Sequence, residues 1–139
     1  MADAQFLERL RQKVAAQGIA RNLGLELEEA GPGYARVSMT CQEEMGNILG
    51  MVHGTAVFAL MDEAFQVAVN AHGTVAVALQ MSLTFHAAPT FGQRLTAVAR
   101  EINTTRRTAS CDIQVTDPGG RLIATCQALA YRRGTPLEW

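Results

Sequence analysis

The stretch "NILGMVHGTAVFALMDEA", residues 47–64, decides the fold. From Thr55 to Met61 small and apolar residues face every side, the pattern of a helix buried all round. Asp62 then follows. Leaving a buried charge uncompensated costs on the order of several kcal/mol unless it is paired or changes its ionisation. The carboxylate therefore needs a partner, a shifted pKa or a task.

Outward from this stretch the punctuation is clear. The helix is expected from about Gly54 to His72, with Gly73 as its C-terminal stop. Ahead of it, Cys41 to Val52 shows little periodicity and holds Gly46 and Gly50, so it reads as a loop. Before the loop, "LELEEA" and "YARVSMT" flank "GPG" at residues 31–33 and predict a hairpin. Asp3 caps a first helix with Phe6, Leu7, Leu10 and Val14 at helical spacing, ended by Gly18. A short segment from Ile19 to Leu23 leads to Gly24.

Beyond the helix β patterns dominate. "TVAVALQMSLTFHA" predicts a long strand, "PTFGQ" a turn and "RLTAVAREIN" another strand. "TTRR" turns the chain into "TASCDIQVTD", and "PGG" at residues 118–120 leads to a last strand, "RLIATCQALAYRR". Strands succeeding one another through short turns predict an antiparallel sheet, with one helix inserted after the first hairpin. Such a sheet leaves one face for a long helix, an α+β arrangement. The tail "GTPLEW" carries no readable pattern.

Composition narrows the function. The 139 residues fit one domain, 1–139, in which residues 1–23 form a helical extension. With 48% hydrophobic and 18% charged residues and a net charge of −1, nothing favours nucleic acid or a membrane surface. The first residues carry charges throughout, unlike a signal peptide, and no apolar run is long enough to span a bilayer. Cys41, Cys111 and Cys126 are an odd set without a C-x-x-C pair, which predicts reduced structural thiols in a cytoplasmic protein.

Around Asp62 the helical neighbours are Phe58, Ala59, Phe65 and Gln66, a mostly apolar patch. Glu63 shares its stripe with Gln66 and Asn70 and is expected to be a solvated rim carboxylate. Two readings of Asp62 stand: an acceptor for an interface Gln or Arg, or a functional carboxylate. The "HGT" start adds a second feature. Backbone N–H groups near His53, Gly54 and Thr55 lack intrahelical partners and can stabilise an oxyanion. Thr55 and Asp62 lie seven residues apart, about 10 Å along the axis. One helix cannot bring both to a single carbon. Two antiparallel helices from neighbouring copies can, so a cooperating site spans a two-fold interface.

"GNILGMVHGTAVFALMDEAF" resembles the hotdog-fold acyl-CoA thioesterases, in their phenylacetate-degradation (PaaI-type) branch. Asn47, His53, Gly54 and Asp62 match that pattern of an Asn, a His-Gly-Gly and a later Asp with no insertion. "LTFHAAPTFGQRLTAVARE" and "GRLIATCQALAYRRG" extend the likeness over about residues 20–133. The resemblance implies a long central helix wrapped by an antiparallel sheet, sites at a dimer interface, and often tetramers. It implies acyl-CoA as substrate and hydrolysis to a carboxylic acid and coenzyme A, without metal or cofactor. By it Asp62 would be the general base or the nucleophile, and the N–H of position 55 would polarise the carbonyl with Gly54 beside it. Asn47 would position the water or thioester, and His53 would shape the helix start. Two departures stand out. Thr55 replaces the second Gly, and Ala78 stands where some relatives carry a Ser or Thr that helps hold the water.

The other candidates are plainer. Arg106 and Arg107 suit the phosphates of coenzyme A. Leu60, Met61, Phe65 and Met81 suit the acyl group, though any core would use them too. His72 suits a helix end, and His86 reads as a strand or rim residue. The three histidines lack metal-ligand spacing, and Ser38, Ser82 and Ser110 lack a nucleophile elbow. Two rival functions remain open: an enoyl-thioester hydratase pairing His53 with Asp62, and a non-catalytic acyl-CoA-binding module.

Overall fold

The computed structural model describes residues 3–139. Among them, helices α1 (Ala4–Ala16) and α2 (Gly18–Leu23) precede the hairpin of β1 (Glu26–Gly31) and β2 (Tyr34–Thr40). A 3₁₀ turn, Glu43–Met45, leads to the central helix α3 (Gly54–Asn70). Four strands follow: β3 (Thr74–Phe85), β4 (Arg94–Thr104), β5 (Thr108–Thr116) and β6 (Leu122–Pro136). All pair antiparallel in one sheet of order β1-β2-β4-β5-β6-β3. No helix among these residues is long and apolar enough to cross a membrane.

The expected elements form for the expected reasons. Asp3 accepts the Phe6 N–H at 2.7 Å and caps α1, which buries Leu10 and Val14. Gly33 turns the first hairpin at φ 73°, where a Cβ would lie 2.7 Å from the Glu101 carboxylate. Gly73 ends the central segment at φ 85°. Helix α3 buries ten of its seventeen residues, chiefly under β2, β3 and β4. Inward residues such as Val37, Met39, Leu95, Ala97, Ile113 and Val115 alternate along the strands and complete the core. The three cysteines are buried and unpaired, and burial pushes the Cys111 thiol up to about 12.

Three expectations need correction. β3 and β4 follow one another in sequence but are not neighbours. β3 pairs with β6 and β4 with β2, so the Pro89-containing segment crosses the sheet end instead of closing a hairpin. β6 continues through Gly134 to Pro136, three residues past the "YRR" end, because β3 offers Thr74 as a partner for Pro136 there. The unreadable tail is also placed. The Leu137 N–H donates to the Gly73 carbonyl, and Trp139 stacks on Phe6 with ring centroids 6.0 Å apart.

The sheet has two edges, β1 and β3. The β3 edge is long and apolar: Val77, Leu79 and Phe85 are exposed along it. An uncovered strand edge of that kind is a ready template for another strand.

Candidate active site

Helix α3 exposes two separate clefts, one at each end of the seven-residue span from Thr55 to Asp62. The first, about 560 Å³ and open, is lined by Asn47, His53, Gly54, Thr55, Phe58, Leu83 and Phe85. The second, about 500 Å³, is walled by Leu10, Val14 and Gln17 of the N-terminal helices, by Asp62, Phe65 and Gln66, by Ala76–Ala78 of β3, and by Leu137 and Trp139. The two share no residue.

The helix-tip cleft is set by local hydrogen bonding. His53 is the N-cap of α3, and its Nδ1 accepts the Thr55 N–H at 3.0 Å. The Ala56 N–H goes to the His53 carbonyl. That leaves the Gly54 N–H donating to no group among the described residues. A Cβ on Gly54 would meet the Phe85 ring at 3.2 Å, so glycine keeps this amide approachable. Asn47 shapes the loop before the helix: its Oδ1 accepts the N–H groups of Leu49 and Met51 at 2.9 and 3.1 Å. With Oδ1 engaged, the free end of Asn47 is its Nδ2 donor. The tip thus offers donors, the chemistry of an oxyanion site.

The Asp62 cleft has the opposite character. Asp62 is half-buried and accepts no hydrogen bond among the described residues. Burial against apolar walls raises its pKa, because desolvation penalises the charged form. An unpartnered carboxylate whose pKa burial raises is suited to take a proton.

Its neighbour Glu63 corrects the reading of a solvated rim carboxylate. Glu63 is only 5% exposed, and its Oε1 accepts from Gln17 Nε2 at 2.8 Å and Gln66 Nε2 at 3.0 Å. The stripe counted as polar is covered by the α1–α2 junction, which brings Gln17 over it. Burial raises the Glu63 pKa, the Gln17 hydrogen bond opposes this, and the Asp62 charge adds to it.

The structure therefore groups Asn47, His53, Gly54 and Thr55 at the helix tip and places Asp62 and Phe65 in the other cleft. Phe65 is floor and core together, 1% exposed. Met81 lines neither cleft. Strand alternation turns it onto the core while Gln80 and Ser82 face a different groove. Leu60 and Met61 are fully buried core residues. Arg106 and Arg107 sit exposed on the β4–β5 turn, away from both clefts, with no ion pair among the described residues. His72 meets the Glu101 carboxylate at 2.9 Å, and His86 pairs with Thr125 at 2.7 Å. Sequence reasoning missed Gln17, Leu10, Val14 and Trp139 as walls of the Asp62 cleft. The apolar stripe of α1 was visible, but its partner was not.

Comparison with known proteins places this geometry. Residues 49–124 match the thioesterase superfamily. A putative esterase of Archaeoglobus fulgidus is 37% identical over 108 residues, 78% of this chain and 68% of that protein. The acyl-coenzyme A thioesterase PaaI of Escherichia coli is 30% identical over 115 residues, 83% of this chain and 82% of that one. The structure of E. coli PaaI, from the phenylacetic acid degradation operon, superposes with a TM-score of 0.91, covering 99% of this chain and all of that one at 25% identity.

Proposed function

This chain belongs to the thioesterase superfamily, a hotdog-fold hydrolase of thioesters, and from that premise we propose that it cleaves acyl-coenzyme A to a carboxylic acid and coenzyme A. The observation that carries the proposal is the division of α3: an unpartnered carboxylate in an apolar cleft, and a donor-rich tip about two turns away. The name of the E. coli relative supplies the acyl-coenzyme A substrate.

The reaction follows from these groups. The acyl portion, aliphatic or aryl, occupies the cleft walled by α1, Phe65 and Trp139. The thioester oxygen lies against the tip of a second copy's α3, where the Gly54 N–H and Asn47 Nδ2 are free to donate. The Thr55 N–H joins them when the His53 ring gives way as its acceptor. Asp62 takes a proton from water as the water oxygen bonds to the carbonyl carbon. The C–S bond then breaks, and the departing sulfur takes the proton. Arg106 and Arg107 serve the phosphates of coenzyme A from the β4–β5 turn.

The separation of the two clefts on one helix supports a dimer. The exposed Val77, Leu79 and Phe85 of the β3 edge, which pairing with a second β3 would cover, support it too. Exposed Ile48, Leu49 and Met51 beside the tip give such a dimer an apolar surface for further pairing to a tetramer. We place the enzyme in the cytoplasm, where its three unpaired thiols stay reduced. A His53–Asp62 hydratase pair is the rival reading, and the two residues line separate clefts of one protomer.

The test is thiol release from a panel of aromatic and aliphatic acyl-CoAs by the wild type and Asp62→Asn. Release abolished in the variant upholds the reading. Hydration of a crotonyl thioester without thiol release, or tight binding without turnover, overturns it.

A further inference from the structure

A water attacking a thioester has two protons, and Asp62 accepts only one of them. The second must be held by another acceptor if the oxygen lone pair is to stay aimed at the carbonyl carbon. The polar side chains of the Asp62 cleft can be accounted for one by one. Lys13 and the Trp139 indole have donors only. Asn70 spends Nδ2 on the carbonyls of Gln66 and Ala76, and its Oδ1 accepts the Ala76 N–H. Gln17 spends Nε2 on Glu63 and the Val14 carbonyl, and its Oε1 accepts from Gln66. Gln66 spends Nε2 on Glu63 at 3.0 Å and Gln17 at 3.2 Å. Its Oε1 accepts from nothing among the described residues and is not buried. The β3 wall, Ala76 to Ala78, offers no side-chain acceptor.

Gln66 lies four residues after Asp62, so both side chains share one face of α3 with Cβ atoms about 5–6 Å apart. Side chains so placed can reach one water lying between their tips.

We propose that Gln66 Oε1 is the second acceptor for the attacking water, turned toward the cleft because Glu63 and Gln17 hold its amide N–H groups from behind. Gln66 is then a catalytic residue, and Glu63 and Gln17 are positioning residues that fix which end of the amide faces Asp62. In the step itself, one water proton passes to Asp62 and the other stays hydrogen-bonded to Gln66 Oε1. The O–C bond forms, the C–S bond breaks, and the proton on Asp62 goes to the leaving sulfur. An ionised Glu63 is needed for the orientation, since a carboxylate facing the amide oxygen would repel it.

This inference rests on the thioesterase reading, so its test separates the two. Gln66 is exposed, and Gln66→Met keeps its length while removing the acceptor. Acyl-CoA hydrolysis is measured with hydroxylamine present, which attacks the thioester as an alternative nucleophile, and acid and hydroxamate products are counted. In Gln66→Met, kcat for hydrolysis falls about tenfold with KM unchanged, and the hydroxamate-to-acid ratio rises by a similar factor. Gln17→Leu and Glu63→Gln move both readouts the same way by smaller factors. Wild-type kcat in Gln66→Met, or equal loss of both products at a constant ratio, overturns the role of Gln66 while leaving the thioesterase standing. A wild type that releases no thiol overturns the thioesterase instead.

Discussion

The two clefts of α3 belong to one helix yet have opposite chemistry. At the tip, hydrogen bonds are satisfied locally: His53 caps Thr55, and Asn47 pins the loop, leaving donors at Gly54 and Asn47 Nδ2. Two turns on, the walls come from distant parts of the chain, α1 and the tail, and the group left over is an acceptor, Asp62. A donor site without its acid and an acid without its donors are complementary halves. On the proposed reading a protomer is chemically incomplete, because the rise of a helix separates what a carbonyl needs together.

The sharpest break of the comparison is Asp62→Asn. It removes the proton acceptor while preserving size, and kcat is expected to fall by about 10²–10⁴. Thiol-release kinetics measure this. Gly54→Val attacks the other half by pressing a side chain toward Phe85, already 3.2 Å from a Cβ, and shading the free amide. A loss of roughly 10–100-fold in kcat is expected. Mixing the two inactive variants after reversible dissociation should restore about a quarter of wild-type activity, since half the dimers then hold one intact site of two. No recovery would place each site within one chain.

Ionisation sharpens the contrast further. Burial raises the Asp62 pKa, so the activity of an enzyme using ionised Asp62 should decline on acidification with an inflection above the usual aspartate range. The sign for stability is the reverse of a paired carboxylate. With the folded pKa raised, the contribution of Asp62 is fully present below its unfolded pKa and is lost as pH rises through the folded value. Asp62→Asn should therefore raise Tm at neutral pH, and the gain should vanish near pH 3, as thermal melts of both proteins will reveal. The smallest effect is expected at the acyl wall. Trp139→Ala removes a ring that α1 carries by stacking on Phe6, and should shift kcat/KM toward bulkier acyl groups by only a few-fold.

Much of this was legible in the chain. The apolar run from Thr55 to Met61, the glycines at 33 and 73 and the alternating strands fixed the elements and the antiparallel class, because each depends on local backbone preference and periodicity. Asp62 declared itself as a charge within an apolar pattern. Glu63 misled for the same reason that Asp62 was found. Its own stripe is polar, and only the arrival of Gln17, 46 residues earlier in sequence, buries it.

By itself the sequence determined which segments are helices and strands and which carboxylate was out of place, since those properties reside in neighbouring residues. Tertiary structure alone decided that β3 lies beside β6, that α1 and Trp139 wall the Asp62 cleft, and that Gln17 and Glu63 hold the Gln66 amide N–H groups. These are long-range pairings. No local pattern specifies which remote surface covers a given face, so only the packed chain settles them.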